Sequence, residues 1–144
     1  MEKSLALDFN VFREVNTSLT KEDISMMSPL QLAYVGDAVY ELFIRTLILK
    51  RDQNAKLLHK NATGYVSASS QAELLHEFYE MLDDDEKKVV LKGRNAKTNT
   101  SPKNADLIDY KYATGLECLF GYLYLLGNDK RLAELFNNII RIKS

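Results

Sequence analysis

The stretch LAYVGDAVYELFI, residues 32–44, is apolar almost throughout, yet it carries Asp37 and, one helical turn on, Glu41. Just upstream stand the parts of a helix start. Ser28 is an N-cap hydroxyl, Pro29 sits at the first helical position, and Gln31 is a capping-box partner three residues after the cap. The spacing predicts a helix from Ser28 to about Lys50. On that helix Asp37 shares a face with Ala33, Tyr34, Tyr40, Glu41 and Ile44. An ionised carboxylate buried alone in such company is costly, so Asp37 must be paired, protonated or bound to a cation. Glu41 can pair with Arg45, four residues on; nothing local pairs with Asp37.

The same oddity recurs in TGLECLFGYLYLLG, residues 114–127, where Glu117 has Ala113, Thr114, Phe120 and Gly121 as helical neighbours. Small residues accompany both acids: Ala33 and Gly36 near Asp37, Gly115 and Gly121 near Glu117. Glycine costs helix stability, and one return is a close approach of two helices, which would bring Asp37 and Glu117 together. Two carboxylates at one site do not both stay ionised cheaply without a cation. A hard divalent ion such as Mg²⁺ would resolve the conflict. Spacing alone leaves that open beside the plainer arrangement, in which each acid bonds to backbone, Arg or Lys.

Helical periodicity dominates the rest of the chain, without alternation of period two or an internal repeat. Helices are expected over about 53–62, over 69–81 with Ser70 and Glu73 as a second capping box, over 84–92 ending at Gly93, over 106–126, and after Asn128 with Leu132, Leu135, Phe136, Ile139 and Ile140 on one face. The segment GRNAKTNTSPKNAD, residues 93–106, is polar and aperiodic and reads as a loop. Residues 1–27 read either as a short amphipathic piece or as a less ordered arm. The expectation is an all-α single domain of about six or seven helices over residues 28–144, with residues 1–27 as an N-terminal arm or short helical extension.

Composition bounds the function. With 144 residues, 46 % hydrophobic and 27 % charged, the chain has the make-up of one globular domain. Its net charge of −1 excludes a uniformly basic nucleic-acid binder, so any such surface is local. One local basic patch is Lys92, Arg94, Lys97, Lys103 and Lys111, interleaved with Asn95, Asn99 and Asn104; by composition alone it reads as solvated surface. A second cluster is Lys50, Arg51, Lys56, His59 and Lys60. The acidic run Glu73, Glu77, Glu80, Asp83 to Asp85 and Glu86 cancels these and is expected to face away from them. The single cysteine, Cys118, fits a reducing compartment and reads as core. The apolar run 29–49 approaches membrane-spanning length, but Asp37, Glu41 and Arg45 argue against that use. The N-terminus lacks a signal-peptide pattern. Glu73 and His76 have the E-x-x-H spacing of di-iron bundles, but a second copy is missing, so His76 reads as an ordinary helix residue.

LAYVGDAVYE resembles the first helix motif of ribonuclease III catalytic domains, and KYATGLECLFGYLYL resembles their second. YVSASSQAELLHE, GRNAKT, PKNAD and Y-K-Y-A-T-G-L-E are similar to the short Mini-ribonuclease III branch, which lacks a double-stranded-RNA-binding domain. The resemblance spans about residues 28–142. It implies an endoribonuclease that hydrolyses double-stranded RNA with Mg²⁺, Mn²⁺ serving as a substitute, and leaves 5′-phosphate and 3′-hydroxyl ends. It places Asp37 and Glu117 as catalytic metal ligands and Glu41 and Thr114 behind them. The family's other two acids fall on Ala33 and Thr114, which cannot be carboxylate ligands. Lys92, Arg94, Asn95, Lys97, Lys103 and Asn104 are then expected to touch RNA. A homodimer is implied, with Tyr34, Tyr40, Tyr122 and Tyr124 as candidates for its interface, some of which are core instead. So are a cytoplasmic location without membrane attachment, the 23S ribosomal RNA precursor as substrate, and a large-subunit ribosomal protein as a further partner. The alternative is a non-catalytic RNA-binding scaffold of the same fold, which Ala33 and Thr114 favour and Asp37 and Glu117 oppose.

Overall fold

Ser28 opens the longest helix as the capping-box pattern requires. Its hydroxyl accepts a hydrogen bond from the Gln31 amide at 3.2 Å, and the Gln31 side-chain oxygen accepts one from the Ser28 amide at 3.0 Å. The computed structural model describes residues 10–97 and 106–143. Among them are seven α-helices and no strand: α1 (Lys21–Ser25), α2 (Pro29–Ile48), α3 (Ala55–Val66), α4 (Ala68–Phe78), α5 (Asp84–Arg94), α6 (Leu107–Leu125) and α7 (Asp129–Lys143). Two short 3₁₀ turns, Arg13–Asn16 and Tyr79–Met81, complete the order. The fold is all-α.

Helix α6 runs through the centre and packs most closely on α2, α5 and α4. This accounts for its apolar residues lying nearly all round: Leu116, Cys118, Leu119 and Phe120 are fully buried. Its contact with α2 is made through glycine. A Cβ on Gly36 would lie 1.6 Å from the carbonyl oxygen of Glu117, and one on Gly121 would lie 2.0 Å from that of Leu32. Backbone meets backbone there, and only hydrogen side chains fit. Beside this crossing the rings of Tyr40 and Phe120 stack at 5.4 Å and 9°, and Tyr40 donates its hydroxyl proton to the Tyr65 carbonyl at 2.8 Å. Residues 10–20 are fastened across the end of α6 by Arg13. Its guanidinium reaches Asp129 at 2.6 and 2.9 Å and the Tyr124 carbonyl at 3.2 Å.

Several expectations need correction. The second capping box does not form: Ser67, with extended backbone, ends α3 and caps α4 by accepting from Ser70, and Glu73 is exposed. Gly93 does not stop α5, which continues to Arg94. Its missing side chain serves packing, since a Cβ would meet the Cys118 sulfur at 2.7 Å and the Gly115 Cα at 2.8 Å. Gly115 likewise faces Val90 of α5, not α2. Glu86 leaves the solvated acidic run. It is 2 % exposed and takes two hydrogen bonds from Arg131, each at 2.8 Å, while also closing the Asp83 capping box. Of the loop expected over 93–106, residues 98–105 lie outside the described residues. Among the described residues no helix is long and apolar enough to cross a membrane.

The glycine crossing gives a sharp test. Gly36→Ala is expected to destabilise the protein by about 3 kcal/mol or more, because a backbone cannot yield as a flexible side chain does. Gly64→Ala, on α3 with nothing within 4 Å of the new methyl, is expected to stabilise by up to about 1 kcal/mol. Urea unfolding of both variants at one protein concentration checks the pair. Equal stabilities would refute the crossing.

Candidate active site

The crossing that joins the two backbones also joins the two acids. Asp37 follows Gly36 on α2, and Glu117 is the residue whose carbonyl Gly36 touches. The Asp37 and Glu117 side chains lie within hydrogen-bonding reach of each other. They open on a concavity of ≈ 620 Å³ whose other walls are Leu30, Ala33, Tyr34, Val35 and Ala38. The expectation that Asp37 is buried in apolar company is corrected here. Asp37 is exposed, and Glu117 is the partly buried member. Tyr34 is 84 % exposed, so the face they share is an open surface of α2 and not core.

Burial, then the hydrogen bond with Asp37 and the negative charges of Asp37 and Glu41, push the Glu117 carboxyl up to about 8. Neither acid forms an ion pair with Lys or Arg among the described residues. The site therefore holds excess negative charge that a proton or a cation would relieve. Its oxygen donors suit a hard divalent ion, and the open side of Asp37 leaves room for waters to complete a shell. Among the described residues no group of three or more His, Cys, Asp or Glu converges. Among the described residues the site thus offers two carboxylates, and phosphate and water oxygens would supply the remainder.

The other expected residues divide. Glu41 bonds Arg45 at 3.2 Å, as the spacing predicts, and its charge is felt at Glu117. Thr114 is buried, and its hydroxyl donates to the Tyr110 carbonyl at 3.0 Å, which leaves only its acceptor lone pairs for a water. Ala33 is buried beside Cys118. Lys92, Asn95 and Lys97 are exposed at the end of α5 and just beyond it, while Lys103 and Asn104 lie outside the described residues. Arg94 is held in place. Its guanidinium lies 5.7 Å from the Tyr112 ring centroid and 3.4 Å from the Tyr112 hydroxyl, and it donates to the Asn95 side-chain oxygen at 3.2 Å.

Sequence reasoning missed what supports Arg94. His76 packs edge-on to Tyr112 at 4.6 Å, which is the structural use of the residue in E-x-x-H. No local spacing signals this, because His76, Arg94 and Tyr112 come from three helices. The second basic cluster is also better placed than its sequence suggested. Lys56, His59 and Lys60 are exposed on α3, and His59 lines a groove of ≈ 460 Å³ that Glu41 and Arg45 of α2 also line.

The raised Glu117 has a stability consequence with a defined sign. The unfolded chain loses this proton near the ordinary 4.5, while the folded chain keeps it to about 8. The native state therefore binds more protons across that window, and this group's contribution falls as pH rises through it. In EDTA, Glu117→Gln is expected to gain thermal stability relative to wild type progressively from pH 4.5 to 8. Melting temperatures of the two proteins over that range check it, and parallel curves would contradict it.

The Ribonuclease III domain model matches residues 30–128. A Mini-ribonuclease 3 from a Thermoanaerobacter species is 43 % identical over 143 residues, covering 99 % of this chain and 98 % of that one. The Mini-ribonuclease 3 of Clostridium tetani is 46 % identical over 125 residues, covering 85 % and 83 %. A crystal structure of a Fusobacterium nucleatum protein superposes with a TM-score of 0.76 at 32 % identity, covering 85 % of this chain and 98 % of that one. The chain belongs to the ribonuclease III family, in its Mini-ribonuclease 3 branch, and is an endoribonuclease.

Proposed function

We propose that this endoribonuclease hydrolyses double-stranded RNA at a Mg²⁺ site held by Asp37 and Glu117, with Mn²⁺ able to take the place of Mg²⁺. The observation that carries the reading is the carboxylate pair itself: two acids in mutual reach, one of them pushed up to about 8, with no Lys or Arg in an ion pair with either among the described residues. When bound, the cation supplies Lewis-acid chemistry, making water a stronger acid at neutral pH and offsetting charge that grows on the scissile phosphate. The chain's own part is positional. Asp37 presents its carboxylate from the open face of α2, and Glu117 gives up its proton on loading. Glu41, restrained by Arg45, keeps the local potential negative, and Thr114 orients water through its free lone pairs. Hydrolysis leaves 5′-phosphate and 3′-hydroxyl ends.

RNA is gripped through phosphates and 2′-hydroxyls by Lys92, Arg94, Asn95, Lys97, Lys103 and Asn104. The preorganised Arg94 supports this assignment. The catalytic domain is residues 28–144, and residues 1–27 are an N-terminal extension. The enzyme acts as a homodimer, each site cutting one strand. Leu30, Tyr34, Ala38 and Leu42 recur every four residues on the exposed face of α2, and Phe12 and Val15 stand exposed beside a groove of ≈ 690 Å³ that Tyr34 also lines. Of the other tyrosines considered for the interface, Tyr40 is 1 % exposed and belongs to the core. Tyr122 and Tyr124 are partly buried against it. A cytoplasmic role in maturing 23S ribosomal RNA precursor ends, with a large-subunit ribosomal protein as partner, rests on the likeness to the Mini-ribonuclease 3 relatives.

Wild type is expected to cut a long RNA duplex in Mg²⁺ at low salt and to stop in EDTA. Asp37→Asn is expected to lose more than about a hundredfold in rate, since even groups behind metal ligands are worth ten- to a hundredfold. Equal cleavage by the two would remove Asp37 from the site. Tyr34→Glu is expected to sediment as a monomer where wild type sediments as a dimer; a monomeric wild type would overturn the homodimer.

A further inference from the structure

The stripe of α2 that carries Asp37 continues as Glu41, Arg45 and Ile48 at spacings of four, four and three. From Asp37 to Ile48 it runs about 16 Å along the helix. Glu41, Arg45 and Ile48 line the groove between α2 and α3. Ile48 then also lines a second concavity, of ≈ 480 Å³, on the far flank of α3. Between the two lies the outer face of α3 with exposed Lys56 and Lys60. One track thus leads from the carboxylate pair, past a restrained arginine and a lysine-bearing helix, into a separate recess.

The recess has a mixed chemistry. Leu47, Ile48 and Ile140 give it apolar walls, Tyr65 an aromatic ring, and Lys50 and Lys143 two cations. Asn61 adds an amide whose nitrogen donates to the Gln53 side-chain oxygen at 3.3 Å, which leaves its own oxygen to accept from a base. The Lys143 ammonium lies 5.9 Å from the Tyr65 ring centroid, so charge and ring are held together. No acid lines it among the described residues. Asn61 and Tyr65 stand one turn apart on α3 and present amide and ring on the same side. An apolar and aromatic surface takes the face of a base, an amide reads its edge, and cations take the phosphate beside it. A phosphate alone needs neither the ring nor the apolar walls.

We propose that this recess binds one unpaired nucleotide of an RNA strand that leaves the duplex beyond the cleavage site. The proposal rests on the reading of the chain as a nuclease of double-stranded RNA, and it assigns that nuclease a preference for a duplex with a single-stranded extension over a blunt one.

The test compares three labelled RNAs in EDTA: a blunt duplex, and the same duplex with a short 3′ or a short 5′ extension. Binding is read by fluorescence anisotropy on the full chain. One polarity of extension is expected to tighten wild-type binding at least about fivefold, the lower end of what stacking one base contributes. Asn61→Ala, and separately Lys50→Ala with Lys143→Ala, are expected to lose that gain while leaving blunt-duplex affinity within about twofold for Asn61→Ala. Circular dichroism confirms that each variant is folded. Absence of any gain in wild type, or a full gain retained in both variants, overturns the proposal. If wild type binds no duplex in EDTA and cuts none in Mg²⁺, the nuclease reading has failed instead. The recess is then judged by binding of an isolated oligoribonucleotide, which supports it if the Asn61→Ala variant binds at least about fivefold more weakly than wild type and overturns it if the two bind alike.

Discussion

Everything distinctive in this molecule depends on two helices touching backbone to backbone. Gly36 and Gly121 permit an approach that any other residue would block, at 1.6 and 2.0 Å for the missing Cβ atoms. Each glycine inside a helix costs roughly 0.5–1 kcal/mol against alanine. The offset comes from the apolar surface closed beside the contact, where Tyr40 stacks on Phe120 and both are buried. The functional yield is geometric. Because Asp37 and Glu117 are neighbours of the contact itself, the approach that buries the core also sets the two carboxylates against each other.

The chain contains its own control in a second buried carboxylate that is handled differently. Glu86 is more deeply buried than Glu117 and is matched by the guanidinium of Arg131, whose own charge that pairing stabilises. Glu117 receives no such partner and faces another acid. The contrast separates a carboxylate neutralised by an ion pair from one that faces a second carboxylate. The pair is also asymmetric: Asp37 is exposed, while Glu117 is partly buried and burial raises its carboxyl.

What the sequence disclosed follows the range of the forces involved. The Ser28–Gln31 box, the Glu41–Arg45 pair and the buried Leu119 and Phe120 depend on neighbours within a turn or two, and periodicity finds them. The pairing of Asp37 with Glu117 was legible because glycine beside each acid marks close approach. Apolar neighbours made Asp37 look buried, but Tyr34 and Ala38 line an open surface, and hydrophobicity alone does not tell a buried face from an exposed one. Gly93 read as a helix stop, and Glu86 read as surface, because their reasons lie on α6 and α7, far along the chain. The Arg94–Tyr112–His76 cluster was invisible for the same cause.

In the proposed site Asp37 and Glu117 hold one cation together, and Mg²⁺ binding there would displace the Glu117 proton. The most direct measurement is proton release on adding Mg²⁺ to the metal-free protein in weak buffer at pH 7. Wild type is expected to release up to about one proton per chain and Glu117→Gln none. Equal release from both proteins, or none from wild type despite measurable Mg²⁺ binding, would contradict it.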